Sequence, residues 1–564
     1  MMRGPVYRAD GHEMSLLQRD SAESSRTVTP GSTKSPAATS QVNVVEDERP
    51  EERKVDAMGC NEHDRQDMIR MGKQQQFRRI FRQFSLVCFA AISMATWEFI
   101  LIANEAGLTD GGRGGFFWTY IFTCVGFFTI CASIAEMSSI SPTAGGQYHW
   151  VSEFAAPAWQ QPLSYCAGWI TTLCWQAAVA SSPYTVGGLI QAIIGVLNPD
   201  YGFDRWHGFL LAVACTCFTS TINIYGANLL PAMQNIVFTL HVFAFIAIVA
   251  VMWILGPHVD GYSAMNTFEN LGGWGSIATA AMIGQISSIY VLGATDAAAH
   301  MAEEVRDAAV VVPRAIMNTL YINAALGVIM LVTINFCLPN VKDAIGHPSG
   351  YAFIYILEYS LPTSGIIGII AILIALIVAN CLSNQASTAR TTFAFARDEG
   401  LPFSKWIAHV HAGTRMPVNA IVLSSGITIA LNALYLVSTT AFDAMVSRPC
   451  WVKMYADSAA FTIRISTAVQ LYFSHRMLCT SPNHQAPDDR IGKVESRSLG
   501  IAHQYRRCRV YTVCLLLDIL AGVCSNQRRR YELGLGDIRW RCAAVNRIFL
   551  DDRKGSLQGT STDD

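Results

Sequence analysis

Charge is scarce in this chain. Asp, Glu, Lys and Arg make up 15% of its 564 residues, where a soluble protein of this size carries about a quarter. With 51% hydrophobic side chains beside that deficit, a soluble enzyme is a poor reading. No nucleophile–base pair, phosphate loop or metal-ligand spacing is present either, so neither catalysis nor a cofactor is expected. The net charge of −1 offers nothing to a nucleic acid. The first 76 residues hold no apolar run that could be a signal peptide. They are rich in Ser, Thr, Pro and mixed charge, and are expected as a disordered cytoplasmic tail. Thr29-Pro30, Ser35-Pro36, Lys54 and Lys73 are candidate modification sites there, or simply solvated. Sixteen cysteines do not make a disulfide scaffold: ten lie at or before Cys381, nearly all in apolar segments. Cys215 and Cys217 form a lone CxC that packing explains. Neither metal nor disulfide is expected.

Long apolar blocks are what the chain does have. A bilayer core of about 30 Å needs roughly 20 apolar residues at 1.5 Å rise. That length predicts helices over 84–106, 116–140, 162–195, 206–223, 232–255, 274–300, 315–338, 364–393 and 417–437, with a weaker tenth over 441–473. The fold class is therefore all-α, a polytopic protein with the lipid bilayer as its solvent. Arg78, Arg79 and Arg82 precede the first helix, and Arg306, Arg314, Arg390, Arg397, Lys405 and Arg415 fall on the same side. The other side holds Arg113, Arg205 and Lys342. This asymmetry predicts a cytoplasmic N-terminus.

Two of these segments carry an acid near their middle, Glu98 in the first and Asp296 in the sixth. A carboxylate at bilayer depth is costly and persists mainly beside a watery cavity or a binding site. Ser93, Thr96 and Trp97 precede Glu98, and Gly293, Ala294 and Thr295 precede Asp296, so each acid sits at a polar interruption. Interrupted helices in matching places of two five-helix halves point to an inverted-repeat carrier, helices one to five and six to ten. Small residues also permit close helix packing, and no glycine lies between residues 84 and 106.

Three connecting stretches carry further signal: Ser141-Pro-Thr-Ala-Gly-Gly-Gln-Tyr-His-Trp150, Glu303-Glu-Val-Arg-Asp307 with Val312-Pro-Arg314, and Phe395-Ala-Arg-Asp-Glu-Gly-Leu-Pro402. With Ala95–Glu98 and the Gly168-Trp169 to Gly187-Gly188 stretch, they resemble the amino acid-polyamine-organocation permease superfamily. The likeness covers roughly residues 77–447 and is nearest to its fungal amino acid, GABA and choline permeases. It implies a five-plus-five inverted-repeat bundle with broken helices one and six, usually followed by two more helices. It also implies uptake of a small zwitterion or cation by alternating access, commonly with a proton as coupling ion, at the plasma membrane. The substrate-binding positions it implies are Thr96, Trp97, Glu98 and Tyr290 to Asp296, with Trp175, Gln176 and Asn380 from helices three and eight.

Glu98 or Asp296 would meet an ammonium, and Trp97, Trp175 or Tyr290 could wall a quaternary amine. Both acids could instead be structural, bonded to a neighbouring helix or to Arg306. His241 reads as a satisfied core histidine. Glu303, Glu304, Arg306, Asp307 and Arg314, facing Arg397-Asp398-Glu399, could form an ion-paired inner gate or a solvated loop. Arg113 stands where the family more often has proline. Beyond residue 447 the pattern fails: Arg448, Pro449, Lys453 and Arg464 interrupt the tenth segment (448–473). From 474 to 564 the best apolar stretch, Tyr511 to Cys524, contains Asp518. That region is expected as a divergent or truncated, poorly ordered tail. A non-transporting nutrient sensor and a defective truncated permease are the competing functions.

Overall fold

The computed structural model describes residues 58–437. The tenth helix, residues 448–564 and the tail before Met58 lie outside the described residues. All nine other segments appear, in order. The first is split into α1 (Gln83–Met94) and α2 (Thr96–Ile102). Then follow α3 (Gly112–Ile140), the short α4 (Gln147–Phe154), α5 (Gln160–Leu197), α6 (Arg205–Tyr225) and α7 (Leu230–Leu255). The sixth is split into α8 (Ile277–Val291) and α9 (Ala297–His300). The last three are α10 (Ala308–Cys337), α11 (Thr363–Arg397) and α12 (Val418–Val437). Among the described residues eight spans are long and apolar enough to cross a membrane, while α8 is short because its segment is interrupted.

The packing pairs are informative. α5 runs along α11 and α3 along α10, which are helices three with eight and two with seven. Members at equivalent positions of the two halves are thus neighbours, as an inverted repeat requires. The first span is fully enclosed by protein, whereas 28% of the apolar window of α7 is buried, so lipid is met by α7 and not by Glu98. Exposed Phe122, Phe218, Phe243 and Ile254 form part of the lipid-facing surface. Arg113, at the start of α3, is buried and donates to the Leu338 carbonyl at 2.8 Å, while Asn335 donates to its own carbonyl. It joins helices two and seven.

The stretch expected as tail differs from that expectation over residues 58–76. It holds a helix at Glu62–Arg70, capped by Asn61. A nine-residue polar helix is marginal alone, and it gives no apolar signal to read. Tertiary contacts hold it. Asp64 is buried, lies 3.2 Å from the Arg79 guanidinium and accepts from the amides of Asp307 and Ala308 at the start of α10, each at 3.1 Å.

Candidate functional site

The two interruptions face each other. Ala95 takes a left-handed conformation at φ 45°, ending α1, and Ala294 does the same at φ 59° between α8 and α9. An L-residue there costs roughly 1–2 kcal/mol, so each break needs compensation. At the first, the Asn380 amide donates to the Ile92 and Ser93 carbonyls at 2.9 and 2.8 Å, replacing bonds that a continuous helix would make. Ser182 in turn donates to Asn380 Oδ1 at 2.8 Å. Across the gap, Thr96 Oγ1 donates to the Val291 carbonyl at 2.8 Å, tying one break to the other.

The expected site residues then separate into three groups. Trp97 and Glu98 turn toward α7: His241 Nδ1 lies 2.6 Å from Glu98 Oε1, and Trp97 Nε1 donates to the same ring at 3.1 Å. Hydrogen on Nδ1, with Nε2 accepting from Trp97, satisfies both contacts. Glu98 Oε2 is buried without a hydrogen-bond partner. Asp296 belongs to a second group, with Oδ2 accepting from Gln147 Nε2 at 2.6 Å and Trp175 Nε1 at 3.3 Å and lying 3.1 Å from His300 Nε2. Between them, Tyr290, Gly293 and Ala294 are partly exposed while Thr295 is buried. The Tyr290 ring meets Phe99 edge-on and its hydroxyl donates to Ser181. Gln176 joins α5 to α11 and α12 through Thr392 and Ser424.

The cluster of mixed charge also divides. Arg397 forks onto Glu303 with two bonds of 2.8 Å, and Arg390 Nε meets Glu304 at 2.7 Å, so two acids of the 302–304 turn are clasped by α11. Thr143 Oγ1 and the Ala144 amide also donate to Glu303. Burial alone would raise the Glu303 carboxyl, but the Arg397 guanidinium overrides it and holds it down at about 2. Asp398 pairs with Lys73 and accepts from the Tyr148 hydroxyl at 3.0 Å; burial, then Asp398, push that phenol well above its usual range, so it stays a neutral donor. Arg306 donates to the Arg79 carbonyl at 3.0 Å, is in none of the described ion pairs, and does not reach Glu98 or Asp296 by any described bond. Arg314 is exposed. Arg306→Ala should therefore leave uptake within about threefold of normal, consistent with loss of one part-exposed hydrogen bond worth about 0.5–1.5 kcal/mol.

Sequence reasoning missed His300, Gln147, Ser182 and the Arg390 pairing; its reading of His241 as a satisfied core histidine fits the buried ring, but the partner, Glu98, was not foreseen. A signal for the last existed, since His241 is the sole ionisable side chain between Leu230 and Leu255. A buried acid needs a partner, and α7 offers one.

Two discontinuous helices crossed at mid-bundle, with ionisable groups enclosed by protein beside each break, define a polytopic membrane carrier and not an enzyme. The chain belongs to the amino acid permease family, whose profile matches residues 81–460. A Macrophomina phaseolina protein named as an amino acid/polyamine transporter is 28% identical over 368 residues, covering 64% of this chain and 80% of that one. The choline transporter of Saccharomyces cerevisiae is 26% identical, covering 66% of each chain. The GABA-specific permease of the same yeast is 25% identical, covering 73% of each. The protein is thus an integral membrane transporter of amino acids or amines.

Proposed function

We propose that the chain takes up a small zwitterion or cation, with choline and GABA-like amino acids as first candidates, across the plasma membrane by alternating access, coupled to a proton. The named relatives support the substrate class. The observation that carries the reading is the bond between the two facing breaks, Thr96 to Val291, with a buried carboxylate beside each. In this reading the opened backbone beside Gly293 supplies the amides of Ala294 and Thr295 to a carboxylate, and the Tyr290 ring receives the ammonium. Such a contact contributes about 2 kcal/mol when desolvated. Thr96, Asn380 and Gln176 hold the surrounding backbone and helices in place, and Trp97 and Trp175 stand behind that surface.

The charged turn at 302–304 then lies on the cytoplasmic side, as does the N-terminus, because Arg78, Arg79 and Arg82 share that face with Arg397 and Arg415. The Glu303–Arg397 and Glu304–Arg390 pairs close the inner exit. Residues 77–447 form the transport core, and residues 58–76 brace its inner face. Uptake of radiolabelled choline, GABA and a panel of amino acids into cells without their own carriers tests this. Concentrative uptake of at least one, abolished by Thr96→Val with Asn380→Leu at normal surface levels, is expected. Ligand binding without any accumulation would refute transport in favour of a sensor.

A further inference from the structure

His300 is fully buried, and both of its ring nitrogens face oxygen acceptors. Nδ1 lies 2.9 Å from the Ala144 carbonyl oxygen and Nε2 lies 3.1 Å from Asp296 Oδ2. A carbonyl oxygen only accepts, so Nδ1 carries hydrogen. A neutral imidazole has no second N–H, and its Nε2 lone pair would then confront a carboxylate at bonding distance inside the protein. The contact is attractive only when one more proton lies between Nε2 and the Asp296 carboxyl. Gln147 and Trp175 also donate to Oδ2, which favours an imidazolium beside a carboxylate.

We propose that Asp296 and His300 together bind one transferable proton, and that this is the coupling proton of transport. The proposal rests on the proton-coupled reading above. No bond to carbon changes in the step: the proton leaves His300 Nε2 for cytoplasmic water, and the pair regains it from the outer side after the inner exit has closed.

The neighbouring loop shows why binding and gating are linked. Residues 143–147 grip this pair through the Ala144 carbonyl and the Gln147 amide, and grip Glu303 through Thr143 and the Ala144 amide. Gly146 has φ 55°, and a side chain there would begin 3.0 Å from His300 Cε1. Gly146 is therefore fitted to the histidine ring, whereas a side chain at Gly145 would meet the Tyr148 ring. Loss of the proton leaves a lone pair facing either Ala144 or Asp296, so one of the two bonds becomes repulsive and the loop loosens. Among the described residues, the ionisable groups on the elements packed around the pair are bonded to other partners, exposed, or buried thiols. Glu303 and Glu304 pair with Arg397 and Arg390 of α11, and Tyr148 of α4 donates to Asp398. His149 of α4 lies 3.9 Å from Glu153, and Asp307 before α10 accepts from Asn61. Arg82, before α1, is exposed, and Cys88 of α1 is a buried free thiol.

The experiment uses purified full-length protein in liposomes, with a transported radiolabelled substrate and an internal pH dye. Wild type should accumulate substrate against its gradient when a pH gradient is imposed and acidify the lumen as it does so. His300→Gln should lose both the accumulation and the acidification while still exchanging labelled for unlabelled substrate, and Asp296→Asn should lose both as well. Either variant moving protons with substrate as wild type does would overturn the assignment. If wild type accumulates substrate without moving protons, the proton-coupled reading itself fails, which is a distinct result. Should neither variant reach the membrane, ¹⁵N spectra of histidine-labelled wild type decide: one buried ring with two N–H groups is expected, and its absence overturns the proposal.

Discussion

Arg390→Met should leave little mature protein in the membrane. Arg390 and Glu304 are each 1% exposed and meet at 2.7 Å, so removing the guanidinium strands a carboxylate in the protein interior. Breaking a buried pair in this way costs about 3–5 kcal/mol, a large part of the roughly 5–15 kcal/mol that holds a typical fold. The pair is itself imperfect, because Glu304 Oε2 has no hydrogen-bond partner. Replacing both members, Arg390→Met with Glu304→Leu, should therefore recover most of the thermal stability, since a well-packed apolar pair is often as stable as a buried ionic one. Thermal size-exclusion profiles of the fluorescently tagged variants measure both changes. A single variant as stable as wild type would show that water reaches this site. Uptake by the double variant then separates folding from gating: protein that is stable but cannot transport would mean the pair serves the cycle.

The spans were legible because the signal for them is additive: twenty apolar residues in a row outweigh any one exception. Their expected ends fall within a few residues of the observed helices, except that α10 begins at Ala308, seven residues before the expected start. Pro313 suggested a boundary there. It is accommodated within two turns of the start, where Asp64 accepts from the first amides of the segment. That contact spans 244 positions and leaves no local trace. The helix at Glu62–Arg70 escaped notice for the same reason: it is mostly polar, with Met68 its one buried apolar side chain, and depends on partners far along the chain.

Both breaks were readable from an acid placed beside a polar step, although the first contains no glycine. What pays for Ala95 in the left-handed region is Asn380, some 285 residues away, which local sequence does not announce. Pairing was harder still. Glu303 and Arg306 are three residues apart and opposite in charge, yet only Glu303 faces inward, because the 302–304 turn directs it to α11 while Arg306 points to the Arg79 carbonyl. Equally, Glu98 and Asp296 look alike in sequence, but one keeps an unsatisfied oxygen beside His241 and the other is held by two donors and the His300 ring.

Arg397→Ala should open the end of the bundle that Glu303 closes and make that closure dependent on pH. In the folded protein burial raises the Glu303 carboxyl and Arg397 lowers it further still, to about 2 against an ordinary value of 4.5. A folded value below the unfolded one means that the pair contributes fully above about pH 4.5 and is lost only as pH falls through about 2. Near neutrality the closed state is therefore insensitive to pH through this pair. Without Arg397 the strongest influence lowering the carboxyl is gone and burial is opposed only by the Ala144 amide and Lys73, so Glu303 should resist ionising in the closed state and closure should strengthen as pH falls. Hydrogen exchange at residues 141–150 and 300–306 reads this directly, because local opening sets amide protection. Faster exchange in Arg397→Ala at neutral pH, slowed again by acid, is expected, with Arg397→Lys intermediate because a point charge cannot fork onto both oxygens. Protection equal to wild type at every pH would show that Thr143 and the Ala144 amide hold Glu303 without the arginine, and the gate would have to be sought elsewhere.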